Sequence, residues 1–233
     1  MDQLTEPFFI SVLICWIFSV CVHEFAHALV AYWGGDRSVR SRGYLSFNPL
    51  KYIDPITSIL LPCVFLVMGG VPLPGGAVLI DRSSLKSRTW ASLVAAAGPA
   101  SNLLLFGLIA VVIHPATGFV DPNLPADAQS NGVKLLGVMA VLQLFAVLFN
   151  LLPVPPLDGF GIIEPFLDAE TQRKLLNPQV RWMGLLLLFF VLFQIPAALK
   201  AFMNAISAVL GWVGLPFSVT WRFYNIALFG SSE

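Results

Sequence analysis

Residues 8–33 read FFISVLICWIFSVCVHEFAHALVAYW. An apolar run of this length can cross a bilayer as a helix, which takes about 20 residues. Its charged and imidazole side chains fall together, as His23-Glu24-Phe25-Ala26-His27. At i and i+4 the two histidines share one helix face, one turn apart, so both imidazoles can reach a single zinc ion. Glu24 stands beside the first of them, where it can take a proton from a water on the metal. The bland alternative is a set of satisfied interhelical hydrogen bonds. Ionisable groups inside a lipid-embedded helix are costly, however, and mark functional sites by default.

The rest of the chain supports a membrane setting. Of 233 residues, 57% are hydrophobic and only 11% charged, against about 25% charged in soluble domains. The mean hydropathy is +0.81. Net charge is zero, so no bulk attraction points to nucleic acid. Cys15, Cys21 and Cys63 lie in apolar runs without a CxxC pair and read as small packing residues. Asp2 and Glu6 precede the first apolar run where a signal peptide would carry Lys or Arg, and no small-residue cleavage site follows. The first run is therefore expected to be a retained span.

The expected fold is an all-α polytopic membrane protein. Spans are expected at about 8–33, 90–114 and 133–152, and a fourth at about 180–199. The stretch 201–215, interrupted by Gly and Pro, is a further span or an interfacial helix, with Trp212, Trp221, Phe223 and Tyr224 at headgroup level. Residues 55–70 are apolar but short and broken by Pro62. Basic residues flank them on both sides, Arg37, Arg40, Arg42 and Lys51 before, Arg82, Lys86 and Arg88 after. By the positive-inside rule both flanks are cytosolic, so the segment is expected to re-enter rather than cross. The acidic loop 115–132, with Asp121 and Asp127, then lies outside, as does the N-terminus. In VPLPGGAVLIDR, residues 71–82, a turn followed by a short strand is expected. Its edge is a candidate for pairing with an extended peptide, and a plain connecting hairpin is the alternative.

A catalytic zinc usually has three protein ligands and an open position. Asp158 is a candidate third ligand, in Asn150-Leu151-Leu152-Pro153-Val154-Pro155-Pro156-Leu157-Asp158-Gly159. The prolines cannot continue a helix, so the third span must unwind there. Asp158 then sits on a loop near membrane depth, which is tolerable only in a protein-lined polar cavity. A plain turn aspartate before Gly159 remains the alternative. His114 beside Pro115 reads as an interfacial histidine, and Glu164 and Asp168 read as the solvated face of an amphipathic helix.

HEFAH in one span and the later N-x-x-P-x-P-P-L-D-G segment together resemble the site-2 protease family of intramembrane zinc metalloproteases. Gly98-Pro99-Ala100-Ser101-Asn102 is similar to the element opening the middle helix of that family's core. The three motifs stand in the family's order, over roughly residues 8 to 167. The resemblance implies a three-helix catalytic core over residues 1–167, with C-terminal membrane helices, one or two of them spans, over 168–233. It implies one zinc per chain, held by His23, His27 and Asp158, with Glu24 as general base. Asn102 and Asn150 would line the site, as oxyanion or substrate-backbone contacts. Substrates would be locally extended transmembrane segments of other membrane proteins, cut in membrane lipid near the cytosolic side, in a prokaryotic plasma membrane. No PDZ or CBS module is expected, as in compact members. A metal transporter would need polar groups at several depths, and an inactive segment-binding relative would have no need of an intact ligand set and base.

Overall fold

The computed structural model describes residues 7–53, 76–120 and 128–215. Among them every regular element is helical: α1 (Pro7–Gly34), α2 (Ser38–Ser41), α3 (Arg88–Ile113), α4 (Asn131–Asn150), α5 (Asp158–Ile163), α6 (Ala169–Leu175), α7 (Pro178–Gln194) and α8 (Pro196–Trp212). Local chemistry sets many of their starts. Ser87 caps α3 by accepting from the Trp90 amide, Ser130 caps α4 through Val133, Asp168 caps α6 and Asn177 caps α7. Each side chain satisfies amide donors that a helix N-terminus leaves without an internal partner.

The helices α1, α3 and α4 are long and apolar enough to cross a membrane, and α6 with α7, bent by 66°, qualify together as a broken fourth span. Large apolar side chains are exposed around the outside, among them Leu104, Val111, Met183, Leu187 and Phe190. In water such a surface would be a liability; against lipid tails it is the matched one. The fourth expected span stops at Gln194 instead of 199, because Pro196 has no amide for the helix to continue through and instead opens α8.

The helix α3 is the centre of the bundle. Its outer half packs Phe106, Ala110 and Ile113 against Ala140, Val141 and Leu144 of α4 and Ile206 and Leu210 of α8. Its other half faces α1, where Val94 joins Cys21, Ala28, Ala31, Val39, Tyr44 and Tyr52 in one cluster. Inside the α1–α4 contact, Ser19 and Gln143 bond each other at 3.0 and 2.7 Å. Both are buried, Gln143 completely.

Residues 76–81 carry no regular secondary structure in place of the expected strand. The physical reason is that each backbone bond goes to a different partner. The Ala77 amide donates to the Tyr52 carbonyl, Arg42 donates to the Leu79 carbonyl, and the Asp81 amide donates to Asp36 Oδ2. Residues 71–75 and the expected re-entrant stretch 55–70 lie outside the described residues. Tyr52 is almost fully buried, its hydroxyl facing the carbonyls of Tyr44 and Ser46. Burial pushes that phenol up to about 12, so it stays a neutral donor.

The Ser19–Gln143 pair generates a stability prediction. Ser19→Ala strands the Gln143 amide in an apolar interior and is expected to cost about 1 kcal/mol. Combining it with Gln143→Leu removes the stranded group and is expected to recover most of that loss. Unfolding midpoints of the purified variants in one detergent check both outcomes.

Candidate metal centre

Burying ionisable groups in a bundle core requires partners for each, and here the partners are one another. His23 Nε2 and His27 Nε2 stand 3.1 Å apart. Asp158 Oδ2 lies 3.2 Å from the first and Oδ1 lies 3.4 Å from the second. Ligand atoms on a tetrahedral zinc, at bonds of about 2.0–2.1 Å, are separated by about 3.3 Å. The separations of 3.1–3.4 Å match that spacing, each histidine facing its own Asp158 oxygen. Among the described residues these three are the group of His, Cys, Asp and Glu that could hold a metal.

The orientation of the rings fits as well. His27 Nδ1 lies 2.6 Å from the Val94 carbonyl of α3. That contact requires the proton on Nδ1 and leaves the Nε2 lone pair turned to the cluster. Both histidines are under a tenth exposed. Asp158 Oδ2 and His23 Nδ1 have no hydrogen-bond partner, and a buried carboxylate oxygen left so is costly unless a cation completes it. The donor set, two imidazoles and one carboxylate with one position open, suits a catalytic zinc.

Two glycines make this geometry possible. A Cβ on Gly98 would come 2.5 Å from His23 Nε2 and closer still to His27 Nε2. The middle helix can back the two histidines only because it is bare there. A Cβ on Gly159 would come 2.6 Å from the Leu152 carbonyl and nearer to that of Leu151. Gly159 thus lets the helix that begins with Asp158 press against the unwound end of α4.

Glu24 is buried beside His23, and the backbone of Val78 hydrogen-bonds its carboxylate. A Cβ on Gly76 would come 3.0 Å from Glu24 Cγ, so residues 76–78 run directly past it. Asn102 is buried one turn beyond Gly98, its Oδ1 without a partner. Asn150 is the half-buried last residue of α4, ahead of the loop that leads to Asp158. His114 is away from the cluster, capping the turn after α3 by accepting from the Ala116 amide. Glu164 corrects the expectation of a solvated face: it is 4% exposed and ion-paired with Arg82. Its partner lies 82 residues earlier, so nothing local in the sequence signals the pair. Gly98, Gly159 and Gly76 were also missed as site residues, although the first two lie within the motifs.

Fold and site define a membrane-embedded helical protein with a buried two-histidine, one-aspartate metal-ligand set. The chain belongs to peptidase family M50, the site-2 protease family, whose model matches residues 11–195. It is 43% identical over 175 residues to Rip2 of Mycolicibacterium smegmatis, covering 75% of this chain and 63% of that protein. Rip2 of Mycobacterium tuberculosis H37Rv is 41% identical over 167 residues, covering 72% and 61%. YwhC of Bacillus subtilis is 36% identical over 185 residues, covering 77% and 78%. All three are named as candidate zinc metalloproteases. The chain spans about three fifths of the length of the Rip2 proteins. No solved structure matches the chain at a significant level.

The glycine contact gives the test of this geometry. Gly98→Ala is expected to lose bound zinc while α3 still forms, since alanine favours helix over glycine by about 1 kcal/mol. Metal analysis of the purified variant, beside its helical circular dichroism, reads the two effects separately.

Proposed function

We propose that the chain is an intramembrane zinc metalloprotease that hydrolyses peptide bonds within transmembrane segments of other proteins. The observation that carries this reading is the triangle of His23 Nε2, His27 Nε2 and Asp158 at 3.1–3.4 Å, with Glu24 buried at its side. His27 is seven residues from the end of α1 at Gly34, which sets the site about 10 Å below that end of the span at 1.5 Å per residue. The basic loops at this end, with Arg37, Arg40, Arg42, Lys86 and Arg88, favour the cytosolic side. The bacterial relatives favour a prokaryotic plasma membrane.

In this reading His23, His27 and Asp158 hold one zinc and leave a position open. When bound, the ion supplies Lewis acidity and makes a coordinated water acidic near neutral pH. Glu24 accepts the proton of the attacking water on a carboxylate oxygen as its oxygen bonds to the scissile carbonyl carbon. The same carboxyl group then returns the proton to the departing amide nitrogen, so one water is consumed per bond cut. Asn102, with its buried side chain, steadies the carbonyl oxygen or the substrate backbone, and Asn150 does the same from the end of α4.

A helical segment hides its carbonyls, so the substrate must be unwound at the cut. An apolar cleft of about 210 Å³ between α3 and α4, lined by Ala96, Pro99, Ala100, Leu103, Val147 and Leu151, gives apolar side chains room nearby. Residues 1–167 act as the catalytic core, and α6 to α8, within 168–233, flank it in lipid.

Purified wild-type protein is expected to carry one zinc and to cut a model transmembrane substrate. Glu24→Gln should keep the metal and slow cleavage by about 10²- to 10⁴-fold, and Asp158→Ala should lose zinc. A zinc-free wild type prepared without chelator would sink the proposal.

A further inference from the structure

Asp158 is the first residue of α5, a helix of six residues. A helix that short has no rigidity of its own, so the place of its carboxylate depends on what ties it down. On the far side of α5, Ser92 of α3 hydrogen-bonds the Ile162 carbonyl. Two residues further on, Glu164 meets Arg82 Nη1. The Glu164 carbonyl also accepts from Gln172 Nε2 at 2.8 Å, which pins the main chain at that point.

The burial of this pair is lopsided. The Glu164 side chain is 6% exposed and that of Arg82 51%. A carboxylate so far out of water is stable only while its cation stays. Arg82 in turn is anchored towards α1. The amide of its neighbour Asp81 donates to Asp36 Oδ2 at 2.8 Å, and the Asp36 amide donates to the Ala31 carbonyl at 3.0 Å. The Ser38 amide and hydroxyl hold Asp36 Oδ1 at 2.9 and 2.6 Å. A continuous run of bonds therefore leads from the histidine-bearing helix, through Asp36, Asp81, Arg82 and Glu164, to the helix bearing Asp158.

From this connection we propose that Arg82 and Glu164 are positioning residues for the metal centre, holding Asp158 at its distance from His23 and His27. The inference rests on the reading of Asp158 as a zinc ligand. Neither residue touches the ligands. Removing Arg82 leaves Glu164 to seek water, which draws α5 outward and loosens the third ligand. The two histidines, set on α1, stay in place.

The test is zinc release from the intact purified protein, followed as transfer to an excess of a chromophoric chelator. Cobalt(II)-substituted protein gives a second readout, because its visible absorption reports coordination number and ligand identity. Arg82→Gln is expected to speed zinc release at least tenfold and to weaken the four-coordinate cobalt bands, and Arg82→Lys to restore much of both. Glu164→Gln serves as a second variant should Arg82→Gln fail to fold; it is expected to speed release in the same direction. A purely structural pair would lower the unfolding midpoint yet leave release within twofold of wild type and the cobalt bands unchanged, and that result overturns the inference. Asp158→Ala separates the two readings: if it keeps zinc, the ligand assignment fails. If it loses zinc while the Arg82 and Glu164 variants release it as slowly as wild type, only the positioning role fails.

Discussion

The approach of α3 to the histidine face of α1 is the contact on which the rest of this structure depends. It is set at Gly98, where any side chain would run into both imidazoles, and at Val94, whose carbonyl takes the His27 ring. Because α3 backs the ligands, the polar cluster is shut away from lipid on that side. Because the same helix also carries Ser92, it reaches the element that bears Asp158. One helix thus orients the His27 ring, packs against His23 and contacts the element that carries Asp158. In a bilayer no water is available to make good an error of an ångström in that contact, so the tolerance lies in the choice of glycine.

A second constraint is the loop after α4. The run from Pro153 to Pro156 ends the helix, and its freed backbone must find partners at membrane depth. The Val154 amide bonds the Leu152 carbonyl and the Leu157 amide bonds the Val154 carbonyl, both at 2.8 Å. Leu157 is buried with Phe149, Leu185 and Phe189, so the turn closes on itself and is held from outside by α7. The C-terminal helices thereby contribute to the site without touching it. They cover the apolar side of a loop whose polar side faces the metal ligands.

Much of this was legible from residues alone. HEFAH on an apolar run announces a metal-binding span, because i and i+4 share a helix face wherever the helix lies. Asp158 was legible as a candidate for a different reason: an aspartate that follows a proline-broken span has few tolerable places to be, and it lies within 3.4 Å of both histidines. Less was legible for residues 71–82. Their turn-then-strand pattern is a local signal, and the backbone of 76–81 instead spends its bonds on Tyr52, Arg42 and Asp36. Glu164 misled similarly, since an acidic residue after a turn reads as solvated until a distant arginine is seen beside it.

What the sequence by itself determined was the donor set and its solvent: two imidazoles and a carboxylate in a lipid-embedded helix, a carboxylate on an unwound loop, and the family that joins them. These follow from near-neighbour spacing and from the energy of apolar runs in a bilayer, which act within about 20 residues. What only the tertiary structure decided was distance and closure. The cluster joins Asp158 to histidines 131 and 135 positions earlier in the chain, the backing glycine meets histidines from another helix, and the Arg82–Glu164 pair ties the end of α5 to the segment before α3. The physical reason is that packing and ion pairing depend on separation in space, and separation along the chain carries almost no information about it.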